Sequence, residues 1–156
     1  MAVEIERKFL VSSDAWRAGA EPGTRLRQGY LSTDPDRNVR VRIKGEKALL
    51  TVKGRLGEGT VSRLEYEYEI PMADAEAMLG LCLASPIDKT RYEIPHGGHL
   101  FELDEFHGRN AGLLIAEIEL ESESAHFEKP PWLGREVSDD PRYLNANLVE
   151  SPFDTW

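Results

Sequence analysis

Hydrophobic and polar residues alternate along most of this chain with a period of two. Successive side chains of a strand point to opposite faces, so the pattern predicts strands with one apolar and one polar face. Turn-forming pairs such as Asp34-Pro35 and Gly97-Gly98 separate these segments and favour antiparallel hairpins. Eight strands are predicted, at about residues 3–11, 25–32, 38–44, 48–53, 62–70, 88–94, 99–106 and 114–122.

Helical spacing of hydrophobic residues is limited to short segments. Ala, Met and Leu recur at helical intervals over residues 74–83, where Asp74 is the predicted N-cap. A short helix is predicted after Ser13, and two more are predicted near Pro131–Leu133 and over Arg142–Leu148. The sequence therefore predicts an α+β protein that is mainly β.

Charged residues fall on one face of nearly every predicted strand, and their signs are sorted by strand. The third strand places Arg40 and Arg42 together, whereas the eighth places Glu117 and Glu119 together. One interpretation is an open sheet with a solvated polar face. The other is a closed eight-stranded barrel with charges inside and an apolar outer face covered by helices. The sorting of signs and the arginines of the third strand favour the barrel.

A barrel interior with charges of both signs has chemical consequences. Unpaired buried charges are costly, so such an interior must hold water and counter-ions. Converging Arg and Lys side chains select phosphate or carboxylate oxygens. Carboxylates beside them would repel that anion unless divalent cations lie between the two. A polyphosphate bound together with Mg²⁺ or Mn²⁺ satisfies both sets of charges.

Composition narrows the classes of partner. A chain of 156 residues is expected to form a single domain, residues 1–156, and its net charge of −9 argues against nucleic acid as a partner. We expect neither a signal peptide nor a membrane span, because no sufficiently long apolar run occurs. The single cysteine, Cys82, is consistent with a cytoplasmic protein without a disulfide framework. The oligomeric state is left open, with a homodimer among the alternatives.

Short motifs occur in order over nearly the whole chain. They are Glu4-Ile5-Glu6-Arg7-Lys8-Phe9-Leu10-Val11, Gln28-Gly29-Tyr30-Leu31, Arg40-Val41-Arg42, Thr51-Val52-Lys53-Gly54, Glu65-Tyr66-Glu67, Lys89-Thr90-Arg91, Glu102-Leu103-Asp104, Ala116-Glu117-Ile118-Glu119-Leu120 and Pro131-Trp132-Leu133-Gly134-Arg135-Glu136-Val137. With them the chain resembles the CYTH superfamily, the triphosphate tunnel metalloenzymes. The resemblance implies an eight-stranded antiparallel tunnel with a charged interior.

The same resemblance implies roles for individual residues. The implied phosphate-binding residues are Lys8, Arg40, Arg42, Lys53, Lys89 and Arg91. The implied ligands of Mg²⁺ or Mn²⁺ are Glu4, Glu6, Glu117 and Glu119, with Asp104 as a further candidate. Lys8, Glu6 and Glu119 are the expected catalytic residues, and Tyr30, Glu65 and Glu67 are expected to line the tunnel.

The activity implied is metal-dependent hydrolysis of a small-molecule triphosphate, first of all inorganic tripolyphosphate to diphosphate and phosphate. Thiamine triphosphatase and class IV adenylate cyclase activities occur on the same fold and remain alternatives. A non-catalytic polyphosphate-binding module is a third alternative, but it would need the cations without the carboxylates. No pocket for a nucleobase can be identified in the sequence.

Overall fold

A computed structural model describes residues 3–57 and 61–156. The strands are β1 (Val3–Val11), β2 (Thr24–Ser32), β3 (Asn38–Lys44), β4 (Lys47–Arg55), β5 (Ser62–Ile70), β6 (Leu83–His96), β7 (His99–Phe106), β8 (Leu114–Glu119) and β9 (Leu133–Glu136). The α-helices are α1 (Met72–Leu79) and α2 (Asn145–Glu150), and 3-10 turns cover Asp14–Gly19, Gly108–Asn110, Pro141–Tyr143 and Phe153–Thr155. No helix in this part of the chain is long and apolar enough to cross a membrane.

Eight strands close into an antiparallel barrel, which confirms the predicted architecture. Neighbouring strands follow the order β5-β4-β3-β2-β6-β7-β8-β1, and a further pairing of β5 with β1 joins the two ends. In this closing ladder Val3 lies opposite Leu64 and Glu4 opposite Arg63. Farther along β1, the same edge pairs with β9 instead, where Phe9 lies opposite Glu136.

The strand β9 replaces the short helix predicted near Pro131–Leu133, so that prediction is wrong. The edge of β1 that β5 leaves after Ile5 carries backbone groups that need partners, and β9 supplies them. The helix predicted over residues 74–83 begins instead at Met72, with Pro71 rather than Asp74 at the N-cap position. It ends at Leu79 before Gly80, and the following residues extend β6 back to Leu83.

The apolar outer face of the barrel is covered on two sides. Phe9, Phe101 and Ile118 are buried beneath Trp16 and Trp132, which belong to the segments after β1 and before β9. On the other side, α1 buries Ala75 and Leu79 against the outer positions of β3 and β4. Because alternate residues face opposite sides, this covering turns the charged positions of the same strands inward.

Helix α2 packs differently from α1. The inward positions of several strands change from charged to apolar near one end of the barrel, as from Lys89 to Ile87 and from Glu117 to Ile115. Leu148 and Val149 of α2 join this apolar group in one buried cluster. The C-terminal segment therefore covers part of the inner wall of the barrel as well as closing its core.

The packing of α2 predicts a stability effect. Leu148 is 1% exposed, so we expect Leu148→Ala to lower the free energy of unfolding by about 2–4 kcal/mol through lost burial and a residual cavity. Leu81→Ala is the matched control, because Leu81 is 75% exposed and should change little. Urea unfolding measures both variants, and equal midpoints for them would contradict this account of α2.

Candidate functional site

The inner wall of the barrel surrounds a cavity of about 280 Å³. Of the residues singled out from the sequence, thirteen line it: Glu4, Glu6, Lys8, Tyr30, Arg40, Arg42, Lys53, Glu65, Glu67, Lys89, Arg91, Glu117 and Glu119. Asp104 is the exception, because it is fully buried behind Lys89 and Arg91 and does not line the cavity. The alternation of eight strands thus brings together side chains that are far apart in sequence.

Arg40 and Arg42 of β3 form the most strongly cationic part of the wall. They are 9% and 7% exposed, and Arg42 takes part in no salt bridge within residues 3–57 and 61–156. Its Nε donates instead to the neutral Gln28 Oε1 at 2.9 Å. Burial, together with the neighbouring Arg40 and Arg91, lowers the pKa of Arg42 to about 9. This guanidinium is a cation at neutral pH that forms no salt bridge with a described residue, although the charge of Asp104 opposes the lowering of its pKa.

Arg91 and Lys89 of β6 share one buried carboxylate, Asp104. Arg91 grips it with two parallel hydrogen bonds of 2.7 and 2.8 Å, and Lys89 Nζ lies 2.7 Å from its Oδ2. Burial lowers the pKa of Lys89 to about 7; Asp104 opposes that shift, whereas Arg91 and Arg42 add to it. Arg91 also lies 3.3 Å from Glu102 and 3.7 Å from Glu117, so its charge is well compensated. Lys89 shares Asp104 with Arg91, and a bound anion would therefore stabilise the charge of Lys89 in particular.

The carboxylates of β1 and β8 meet on the opposite part of the wall. Burial and the charges of Glu117 and Glu4 raise the pKa of Glu6 to about 8. Burial alone would also raise the pKa of Glu117, but Lys8, Arg91 and Lys89 outweigh it and hold that pKa well below its usual range. Lys8 Nζ lies 3.6 Å from Glu117 and 3.9 Å from Glu6. Glu6 is thus a buried carboxyl whose negative charge is only partly compensated by Lys8.

A second ion pair lies where β5 closes onto β1. Lys53 Nζ donates to both carboxylate oxygens of Glu4, at 2.9 and 3.2 Å, and lies 3.9 Å from Glu65. Nearby, Glu119 is more exposed, and its pKa is raised by partial burial and by the charges of Glu4 and Glu102. The acidic residues therefore extend from the buried Glu117 to this exposed position.

The chemistry of these carboxylates fits a hard divalent cation. Oxygen donors are the ligands that Mg²⁺ and Mn²⁺ prefer, and the raised pKa of Glu6 marks a place where added positive charge would be favourable. In the described part of the chain, no three Asp, Glu, His or Cys side chains are arranged to hold a metal by themselves. Mg²⁺ commonly uses one or two carboxylates and completes its shell with water and substrate phosphate, so this donor set still suits it.

Several cavity-lining residues were not singled out from the sequence. Arg63 shares the inward face of β5 with Glu65, so the alternation pattern could have identified it. Ser138 and Asn145 come from the C-terminal segment, which lacks a strand period. No sequence signal of the kind that found the strand residues could have placed these two at the site.

The barrel is closed and antiparallel, and its inner wall carries clustered cations and carboxylates. These features are typical of proteins that bind anions inside a tunnel. Residues 2–150 match the sequence profile of the CYTH domain. This match covers nearly the whole chain, and the chain therefore belongs to the CYTH family.

Named relatives agree with that assignment. The chain is 53% identical over 154 residues to an inorganic triphosphatase of Acetivibrio thermocellus, with 98% of this chain and 97% of the relative aligned. It is 41% identical to an inorganic triphosphatase of Nitrosomonas europaea over 153 residues, covering 95% and 97% of the two chains. The crystal structure of the inorganic triphosphatase NE1496 superposes with a TM-score of 0.63 at 37% identity, covering 93% and 96%.

The position of Asp104 generates a prediction about stability. Asp104→Asn would leave Lys89 and Arg91 buried without a full counter-ion, so we expect a loss of about 3–5 kcal/mol in the free energy of unfolding. Asp88→Asn, which removes a surface partner of Arg25, should cost far less. Urea unfolding without metal provides the measurement. If Asp104→Asn kept the stability of the wild type but lost metal-dependent activity, Asp104 would instead be identified as a metal ligand.

Proposed function

We propose that this protein hydrolyses inorganic triphosphate to diphosphate and phosphate with the help of a divalent cation. The observation that carries the proposal is the set of buried cations around one cavity, where Arg42 has no carboxylate partner in the described residues. Planar guanidinium groups and ammonium groups converging on one space suit the closely spaced oxygens of a phosphate chain. The names of the relatives from Acetivibrio thermocellus and Nitrosomonas europaea support the same activity.

The carboxylates favour hydrolysis over binding alone. A module that only bound polyphosphate would be weakened by acidic side chains beside the anion. Here Glu6 and Glu117 belong to the same wall as Lys8, and a divalent cation would reconcile them with a phosphate chain. Phosphoryl transfer depends mainly on positioning and charge neutralisation, which are the properties this wall provides.

The roles divide between the two signs of charge. The residues proposed to bind phosphate oxygens are Lys8, Arg40, Arg42, Lys53, Lys89 and Arg91, and those proposed to hold Mg²⁺ or Mn²⁺ are Glu4, Glu6, Glu117 and Glu119. When bound, the ion would neutralise phosphate charge and polarise the phosphoryl group. Asp104 is proposed to position Lys89 and Arg91 rather than to bind metal.

Lys8 is better suited to stabilise the substrate than to act as a base. Burial by itself lowers its pKa, but Glu117 and Glu6 outweigh that effect and raise the pKa above its ordinary value. Lys8 therefore stays a cation and contacts the terminal phosphate. A neighbouring carboxylate, Glu6 or Glu119, then takes the proton from the attacking water.

The lining of the cavity supports an inorganic substrate. Its wall is dominated by charged side chains, which suit phosphate groups better than a nucleobase. A nucleoside triphosphate would have to leave its nucleoside outside the tunnel.

Phosphate release tests this function directly. We expect faster release from tripolyphosphate than from ATP or thiamine triphosphate, dependence on Mg²⁺ or Mn²⁺, and loss of activity in excess chelator. Glu6→Gln should reduce activity far more than Glu105→Gln, because Glu105 contacts Arg17 and Tyr92 outside the cavity. Cyclic AMP formation from ATP without phosphate release from tripolyphosphate would replace this function with a cyclase. Tight tripolyphosphate binding without turnover would indicate a binding module.

Arg42 yields a prediction with opposite signs for activity and stability. Losing one charge-assisted hydrogen bond should lower kcat/KM by about 10- to 150-fold in Arg42→Ala. Arg42→Lys should also impair activity, since lysine lacks the planar fork. The melting temperature without substrate should stay unchanged or rise, because relief of the repulsion from Arg40 and Arg91 is expected to outweigh the lost hydrogen bond to Gln28. Arg27→Ala, at an exposed pair with Glu76, is the control for both measurements. Wild-type kinetics in Arg42→Ala would show that Arg42 does not contact substrate.

A further inference from the structure

Two neutral amide side chains connect the cations of β3 and β6. Gln28 Nε2 donates to Asn145 Oδ1 at 3.2 Å, and Lys89 Nζ donates to the same oxygen at 2.8 Å. On the other side of Gln28, its Oε1 accepts from Arg42 Nε at 2.9 Å. Gln28 is fully buried and Asn145 is 8% exposed, so this chain of hydrogen bonds lies almost entirely within the protein.

The partners at the two ends fix the orientation of both amides. An arginine or an ammonium group can only donate, so Arg42 must face the oxygen of Gln28 and Lys89 must face the oxygen of Asn145. The nitrogen of Gln28 then donates to Tyr30 Oη, at 3.1 Å, and to Asn145. Among the groups of this hydrogen-bond network that remain available to a ligand is the Nδ2 amide of Asn145. It has no hydrogen-bond partner in the part of the chain that the structure describes, and Asn145 lines the cavity.

We propose that Asn145 donates its free amide to the triphosphate and, together with Gln28, positions Lys89 and Arg42 without adding negative charge beside them. Asp104 already pairs with Lys89, so a second carboxylate at position 145 would remove more of its charge. The inference rests on the proposed function, since the anion it concerns is the proposed substrate. Carboxylates in these two positions would orient the cations equally well but would compete with phosphate for them. Neutral acceptors keep the positive charge available to the ligand, and the remaining donor adds a contact of its own.

The location of Asn145 makes this role specific to the C-terminal segment. Asn145 is the first residue of α2, which is anchored by the buried Leu148 and Val149 against the inner apolar wall. The barrel strands alone would therefore leave Lys89 and Gln28 without this acceptor. The packing of α2 therefore does two things: it closes the apolar core, and it brings Asn145 to the proposed phosphate site.

The exchange of Asn145 for aspartate separates positioning from simple structural support. Asn145→Asp keeps the shape and the acceptor oxygen but adds a negative charge beside Lys89. We expect the melting temperature without ligand to stay the same or rise, while KM for tripolyphosphate with Mg²⁺ rises about 10-fold or more, because the carboxylate repels phosphate and pairs with Lys89. Ser151→Asp adds the same charge at an exposed position just after α2, and its KM should match the wild type.

Asn145→Ala tests the direct contact without adding charge. Loss of the amide hydrogen bond to a charged phosphate, together with the Oδ1 that accepts from Lys89, should raise KM by about 10-fold with a smaller change in kcat. Tripolyphosphate should also raise the melting temperature in the presence of chelator. We expect the largest rise for the wild type, a smaller one for Asn145→Ala and the smallest for Asn145→Asp. This second readout does not depend on turnover.

These measurements test the role of Asn145 separately from the proposed hydrolysis of triphosphate. Both Asn145 variants could hydrolyse tripolyphosphate with the wild-type KM and show the wild-type rise in melting temperature with ligand. That result would leave the proposed hydrolysis standing but overturn the role of Asn145. Weaker binding accompanied by an equally lowered melting temperature in both variants would also overturn it, because the role would then be structural. Wild-type protein that binds tripolyphosphate but releases no phosphate would refute the hydrolytic function, while the binding measurements would still decide the role of Asn145.

Discussion

Charges of both signs are enclosed in one barrel, and they do not pair off completely. Arg42 has no carboxylate partner in the described residues, and its pKa is lowered to about 9 by burial and by neighbouring cations. Glu6 is in the opposite situation, with a pKa raised to about 8 by burial and by neighbouring carboxylates. An anion would relieve the first imbalance and a divalent cation the second. The two imbalances together support the proposal that the ligand is a triphosphate accompanied by a divalent cation.

Maintaining such an interior requires the rest of the fold. Buried charges that lack partners oppose folding, and the apolar clusters outside the barrel and around α2 supply the opposing stabilisation. Phe9 and Trp132 belong to one of these clusters, and Leu148 belongs to another. The pairing of β1 with β5 completes the ring, so the charged positions face a shared interior rather than an open sheet face. The stability of the fold and the reactivity of the site are therefore opposed at the same side chains.

The wall also shows how a protein can position a cation without neutralising it. Asp104 fixes Arg91 and Lys89 but also compensates part of their charge, as any carboxylate must. The amides of Gln28 and Asn145 provide acceptor oxygens with no net charge, and they do so for Arg42 and Lys89. Lys89 has a partner of each kind, whereas Arg42 has the amide alone, so Arg42 is the less compensated of the two cations.

The strands and most of the candidate site could be predicted from the sequence because a strand has a period of two. The spacing of Arg40 and Arg42, or of Glu117 and Glu119, places both side chains on one face whatever the neighbouring strands are. Which face turns inward was decided by tertiary packing, since only the covering of the outer face by α1, Trp16 and Trp132 makes the charged face the interior. The strand β9 and the position of Asn145 also depended on tertiary structure. An unpaired edge of β1 and an apolar patch inside the barrel selected them, and neither exists until distant strands have met.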